Sequence, residues 1–243
     1  MTANNQTVVT GKLIGVGVGP GDPELLTLKA FRLIQQADVI SFLVNDDNVS
    51  QARMIAGEAV TGAAFEIPLL MPMSKDRTLA DKVYDQAAER IKQQLYSGKN
   101  VVFLCEGDPL FFGSFAYLLE RLQAEFVCEV VPGITSINAA AASIPTPLTK
   151  LTDSFAVVSG RHSDERLRDT LINHNSVAIM KAGKSRQRIL SALNDTNRLE
   201  DASYLEYIGR DEQFIERDVS KLPNEAGPYF SLFLVTNRSG EKR

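Results

Sequence analysis

Hydrophobic positions fall into two alternating textures along most of the chain: short, nearly unbroken β-branched runs, and longer stretches with apolar residues one helical turn apart. Lys12–Val18 (KLIGVGV), Asp38–Leu43 (DVISFL), Val101–Cys105 (VVFLC), Phe126–Val131 (FVCEVV), Phe155–Ser159 (FAVVS) and Val177–Met180 (VAIM) have the first texture. Such runs suit strands covered on both faces by helices. Between them, Thr78–Tyr96 places Leu79, Val83, Ala87, Ile91 and Leu95 on one stripe of a long helix. Glu24–Gln36, Ser114–Gln123 and Ser185–Leu193 are helical by the same criterion. After Asp201 the runs Ser203–Ile208, Gln213–Arg217 and Tyr229–Thr236 are separated by short turns, which predicts an antiparallel meander. The fold class is therefore α/β. Pro132-Gly133, followed by Pro145 and Pro147, punctuates the middle of the chain. A boundary there gives two α/β domains, 12–132 and 133–243, with a cleft between them as the expected place for a ligand.

The first strand runs directly into Gly15, Gly17, Gly19, Pro20, Gly21, Asp22 and Pro23. Asp22 has the chemistry of an N-cap, with Pro23 at the first helical position. Strand, glycine turn and capped helix start make a surface that lets backbone approach a ligand closely; a plain tight turn is the competing reading. Two nucleotide motifs fail on spacing. A dinucleotide fingerprint needs glycine where Pro20 or Asp22 stands, and a phosphate loop ending in Gly183-Lys184-Ser185 needs glycine where Ala178 stands. A cofactor without phosphates fits better.

A second cluster, Glu106-Gly107-Asp108-Pro109 followed by Leu110-Phe111-Phe112-Gly113, lies at the carboxyl end of strand Val101–Cys105. Carboxylates at that end of a buried strand sit where open α/β sheets bind ligands, although Gly113-Ser114 also suits a helix start. Pro132-Gly133-Ile134-Thr135-Ser136 repeats the geometry after the next strand. Its hydroxyls suit capping of a helix through Ala139–Ala142 or a hydrogen bond to a ligand.

Composition narrows the function. The 243 residues carry a formal charge of -4, no tryptophan and 7% aromatics, a poor supply for stacking or steering nucleic acid. The opening MTANNQTVVT does not read as a signal peptide, and no apolar run reaches the ~20 residues of a membrane span. Cys105 and Cys128 lie in apolar runs and read as buried thiols of a reducing compartment, so a cytoplasmic protein is expected. His162 and His174 lack partners at metal-ligand spacing, and no metal site is assigned.

VGVGPGDPELLTLKA, EGDPLFFGSF, VPGITS, IMKAG and PYFS occur in this order from Lys12 to Val235, and in that order they resemble the tetrapyrrole methylases. EGDPLFFGSF, IMKAG with its following basic residues, and PYFS look most like the members acting at C20 of precorrin-2. The GGDP and YMG segments typical of the uroporphyrinogen methylases are missing. The resemblance implies two α/β domains, S-adenosyl-L-methionine as cofactor, an anionic tetrapyrrole as substrate, and a homodimer. It implies a cofactor wall from Pro20, Glu106, Gly107, Asp108, Thr135 and Ser136, completed by Lys181, Ala182, Tyr204, Phe230 and Ser231. Gly19 and Asp22 are expected beside the substrate. The substrate's carboxylates call for basic donors: Arg53, Lys75, Arg77, Arg161, Lys184, Arg186 and Arg188 are candidates, with Lys184, Arg186 and Arg188 as the favoured set. The segment after DVISFL and Ser159-Gly160-Arg161-His162 depart from the family's pattern. Rival functions are another methylation position (uroporphyrinogen C2/C7, precorrin C17 or C11) and a non-catalytic cofactor-binding module.

Overall fold

The structure, a computed structural model, describes residues 9–71 and 77–236; the polar opening at 1–8 lies outside them. The chain divides between Thr135 and Ser136 into two compact units.

The first unit is built on a five-stranded sheet of β1 (Leu13–Gly17), β2 (Val39–Val44), β3 (Phe65–Leu70), β4 (Val101–Cys105) and β5 (Cys128–Val131). Its order is β3-β2-β4-β1-β5 and every pairing is parallel. All five residues of β1 and of β4 are buried, as expected of strands covered on both sides. Helices α1 (Leu28–Gln35) and α2 (Gln51–Ala56) supply Ala30, Ile34, Ala52 and Ile55 to the core on one face of the sheet. Helices α3 (Arg77–Tyr96) and α4 (Phe115–Leu122) supply Ala87, Ile91, Leu95, Phe115 and Leu118 to the other.

This arrangement creates a switch point. The chain leaves β1 for α1 on one face and leaves β4 for α4 on the opposite face, yet β1 and β4 are neighbours in the sheet. Their carboxyl-end loops therefore diverge, and in open α/β sheets ligands bind in the crevice so formed.

The single helix expected over Glu24–Gln36 is instead two pieces. Asp22 accepts from the Glu24 amide at 2.8 Å and opens a 3-10 turn, Pro23–Leu25; Thr27 then caps α1 by accepting from the Ala30 amide at 3.1 Å. Two hydroxyl or carboxylate caps five residues apart break what periodicity alone joins. Strand β3 and helix α2 were not anticipated. β3 carries Pro68 in its middle, and it is an edge strand that pairs with β2 alone, where a missing amide is tolerated.

The second unit contains α5 (Ser136–Ser143), β6 (Phe155–Ser159), α6 (Asp164–Asn173), β7 (Ser176–Met180), α7 (Arg186–Asp195), β8 (Ala202–Glu206), β9 (Phe214–Glu216) and β10 (Ser231–Val235). Its sheet runs β6-β7-β10-β8-β9. β6 and β7 are parallel, whereas β10 is antiparallel to both β7 and β8. The last three strands are thus not a simple meander: β8 and β9 form a hairpin, and β10 inserts between β8 and β7. The insertion brings the chain's final motif beside its IMKAG segment. Leu167, Leu171, Ile189 and Leu193 of α6 and α7 close the core with Val177, Ile179, Phe233 and Val235.

Candidate active site

In the first unit three glycine-bearing loops meet at the carboxyl ends of β4, β1 and β5. The Val18 amide donates to the Cys105 carbonyl at 2.8 Å. Gly19 and Gly107 form an isolated antiparallel bridge, with the Gly107 amide donating to Gly19 at 2.8 Å. Both have positive φ, +83° and +63°, a backbone region open to glycine. A methyl group at Gly17 would stand 2.5 Å from the Gly107 carbonyl oxygen and 2.6 Å from Gly133, and one at Gly133 would collide with the same oxygen. Gly17, Gly107 and Gly133 therefore touch backbone to backbone. Side chains are excluded from this contact, in which Gly17 is buried while Gly107 and Gly133 are partly exposed.

Asp108 fastens this assembly. Its Oδ1 accepts from the Leu110 amide at 2.9 Å, and its Oδ2 accepts from the Gly133 amide at 3.1 Å. One carboxylate so shapes its own loop and ties it to the PGITS loop. Glu106 is exposed beside it, Thr135 and Ser136 are half-buried, and Pro20 is buried at the loop's base. The structure thus brings Pro20, Gly19, Glu106, Gly107, Asp108 and Thr135 into one strand-end region. Asp22, expected beside the substrate, spends a carboxylate oxygen on its helical cap. Cys105 just below is inert: burial pushes its thiol up to about 12.

In the second unit, Lys181 leaves β7 in the left-handed region, φ +55°, and the Ala182 amide then donates to the Ser231 carbonyl at 3.1 Å. The Tyr207 amide donates to Phe230 at 2.9 Å, and Tyr204 lies against Phe233, its partner across β8 and β10. Lys181, Ala182, Tyr204, Phe230 and Ser231 are therefore neighbours. Tyr204 is fully buried, and burial holds its phenol up at about 12.

The basic candidates fare differently. Arg186, expected to meet the substrate, is 5% exposed, with Nε donating to the Glu225 carbonyl at 2.7 Å and Nη2 to the Pro223 carbonyl at 3.1 Å. It is a structural arginine, because its fork is consumed inside the unit. Arg188 pairs with Asp164 at 2.6 Å and donates to the His162 carbonyl at 2.9 Å; Arg53 makes a two-pronged pair with Glu66 at 2.9 and 3.0 Å. Lys184 and Arg161 are exposed. Lys75 lies outside the described residues, as does the side chain of Arg77. Sequence reading also missed Arg210, whose guanidinium stacks 4.1 Å from the Phe230 ring. Only its place in the turn between β8 and β9, three residues after Tyr207, hinted at this. Among the described residues no group of three or more His, Cys, Asp or Glu is gathered to hold a metal, and no helix is long and apolar enough to cross a membrane.

A parallel sheet whose switch-point loops are held together by glycine backbone is the arrangement at which open α/β proteins bind their ligands. Residues 12–223 match the Tetrapyrrole (Corrin/Porphyrin) Methylases, and the chain belongs to this family of methyltransferases. Over 94% of its length it is 35% identical to a precorrin-2 C(20)-methyltransferase from Sinorhizobium, of which it spans 96%. The solved structure of a cobalt precorrin-4 methyltransferase, CbiF, superposes with a TM-score of 0.73 at 25% identity, covering 93% of this chain and 94% of that one. A uroporphyrin-III C-methyl transferase from Thermus thermophilus, complexed with S-adenyl homocysteine, gives 0.65 at 25% identity over 93% of this chain and 97% of that one.

Proposed function

We propose that the chain transfers one methyl group from S-adenosylmethionine to the C20 meso carbon of precorrin-2 or of its cobalt complex, on the route to cobalamin. The observation that carries this reading is the 35% identity to the Sinorhizobium C20 enzyme across almost both full lengths. The site agrees with the cofactor in a separate way. The strand-end loops packed together at Gly17, Gly107 and Gly133 suit a ligand met by backbone, and the glycine spacing of the first loop is wrong for a pyrophosphate.

When bound, S-adenosylmethionine supplies an already activated methyl on sulfonium. The chain's residues are then asked mainly to orient and to exclude water, effects that reach ~7–11 kcal/mol in well-aligned reactions. Pro20, Glu106, Gly107, Asp108 and Thr135 are the residues of the first unit that would hold it. Ser136, Lys181, Ala182, Tyr204, Phe230 and Ser231 are those of the second. Asp108 acts through the two amides it fixes, and no proton acceptor is assigned to it. Exposed Lys184 and Arg161 are the candidates for the substrate's carboxylates. A homodimer, which rests on the family resemblance, and a cytoplasmic location, which rests on the reading of Cys105 and Cys128 as reduced thiols, belong to the same proposal.

The test is incubation with precorrin-2 and methyl-labelled cofactor, followed by NMR assignment of the labelled carbon. One label at C20 is expected. Labels at C2 and C7 of uroporphyrinogen, or at C17 or C11 of a later intermediate, would reassign the position. Absence of label in any tetrapyrrole would overturn the substrate class.

A further inference from the structure

The IMKAG-KSRQ segment and the loop before PYFS, some forty residues apart, form one object. Arg186 donates to the carbonyls of Pro223 and Glu225, Gln187 Nε2 donates to the Asn224 carbonyl at 2.6 Å, and the Gly227 amide donates to the Gly183 carbonyl at 3.0 Å. Any side chain at Gly183 would run into the carbonyls of Gly227 and Pro228. Behind the loop, Arg186 lies 5.5 Å over the Tyr204 ring and 3.7 Å from Glu206. Residues 223–226 are exposed and contain no regular element, so these donors are what fixes their path.

We propose that Arg186 is a positioning residue: it latches the 223–228 strap and thereby sets the backbone at Phe230-Ser231 and Ala182, the second unit's share of the cofactor wall. The inference rests on the proposed cofactor site and replaces the substrate role first expected of this arginine. The strap ends at Pro228, whose carbonyl accepts from the Ser231 hydroxyl at 2.7 Å, and the Ser231 carbonyl in turn accepts from the Ala182 amide. A shift of the strap is thus passed to the wall through two consecutive hydrogen bonds. The geometry demands arginine. Two carbonyls accept from separate nitrogens of one planar fork while its third nitrogen faces a carboxylate at ion-pair distance, and a lysine ammonium on a flexible stem does not reproduce that fan.

The test combines amide hydrogen exchange with titration of S-adenosylhomocysteine, using the full chain with Arg186→Met, Arg186→Lys and Gln187→Ala. Exchange at Gly227 should quicken about tenfold or more in both Arg186 variants, while β7 and β10 amides keep their protection. Affinity for S-adenosylhomocysteine should fall about tenfold in both, the scale of one or two lost charge-assisted hydrogen bonds. That loss should not change with salt, since the arginine is buried. Gln187→Ala, which removes one exposed bond, should move both readouts the same way by about twofold. A released strap with unchanged affinity would overturn the positioning role. Full rescue by lysine would overturn the fork argument. Unchanged exchange at Gly227 would overturn the latch itself. Failure of the wild-type chain to bind S-adenosylhomocysteine would instead overturn the cofactor reading and the positioning role with it, leaving the exchange result to report on the latch alone.

Discussion

The two units build their candidate walls in opposite ways. In the first, the wall is backbone laid against backbone: Gly17, Gly107 and Gly133 touch, and a single carboxylate, Asp108, ties the loops. In the second, buried guanidinium groups hold loops from within. Arg186 gathers the 223–228 strap, and fully buried Arg198 gathers the segment before β7, donating to the carbonyls of Leu171, His174 and Asn175 and to Asp201 Oδ2. The first design leaves no room for change at its centre, whereas the second rests on donors whose loss can be graded by substitution.

The largest combined effect, on binding and stability together, is expected at the glycine contact. In Gly133→Ala the new methyl meets the Gly107 carbonyl, a backbone atom that cannot step aside without moving β4 or β5. The variant should lose S-adenosylhomocysteine binding and about 3 kcal/mol of stability, within the cost of overpacking, as read by calorimetry and urea unfolding. A well-folded variant with normal affinity would mean that the three loops can part.

Next comes Arg198→Met. Removing one member of a buried, hydrogen-bonded pair costs about 3–5 kcal/mol, and Asp201 is left 6% exposed without that partner. The unfolding midpoint should drop while the affinity of the surviving folded protein stays near wild type. A specific loss of affinity would show that this arginine, too, serves the wall.

Asp108→Asn should be milder. The amide keeps one acceptor oxygen, so one of the bonds to Leu110 and Gly133 survives and about 1–2 kcal/mol is lost. Cofactor affinity should fall several-fold and Asp108→Ala should fall further; equal effects would point to the carboxylate's charge and away from its role as a tie.

The gentlest effect is with pH. Cys105 and Tyr204, one per unit, both have ionisations raised to about 12 chiefly by burial, from ordinary values of 9.0 and 10.0. The folded state keeps these protons longer than the unfolded chain, so the stability they contribute is present below pH 9 and declines as pH rises toward 12. Urea unfolding midpoints across that range should fall, and Cys105→Ala should flatten the lower part of the decline.

The same contrast explains what could be read from the chain. The strand-end loops of the first unit were legible because backbone constraint is written directly in residue identity: Gly17 and Gly133 are held to glycine by close approach, and Gly107 by its positive φ. Within the basic set after β7, Arg186 was not legible, since an arginine that binds a substrate and one that latches a strap look alike in sequence. Its burial is decided by residues 223–227, some forty positions away. β3 escaped notice because Pro68 interrupts it, and the meander expected after Asp201 missed the insertion of β10, a long-range pairing that local alternation does not encode.

The central claim is that ligand meets backbone at the switch point of the first unit. Backbone amide NMR during titration with S-adenosylhomocysteine, in the presence of a chelator, tests it most directly. The largest shifts in that unit should fall on Gly19, Gly107, Gly133 and Ile134, with the β3 edge unchanged. Binding that leaves those four amides where they were, or that vanishes when metal is removed, would contradict the account.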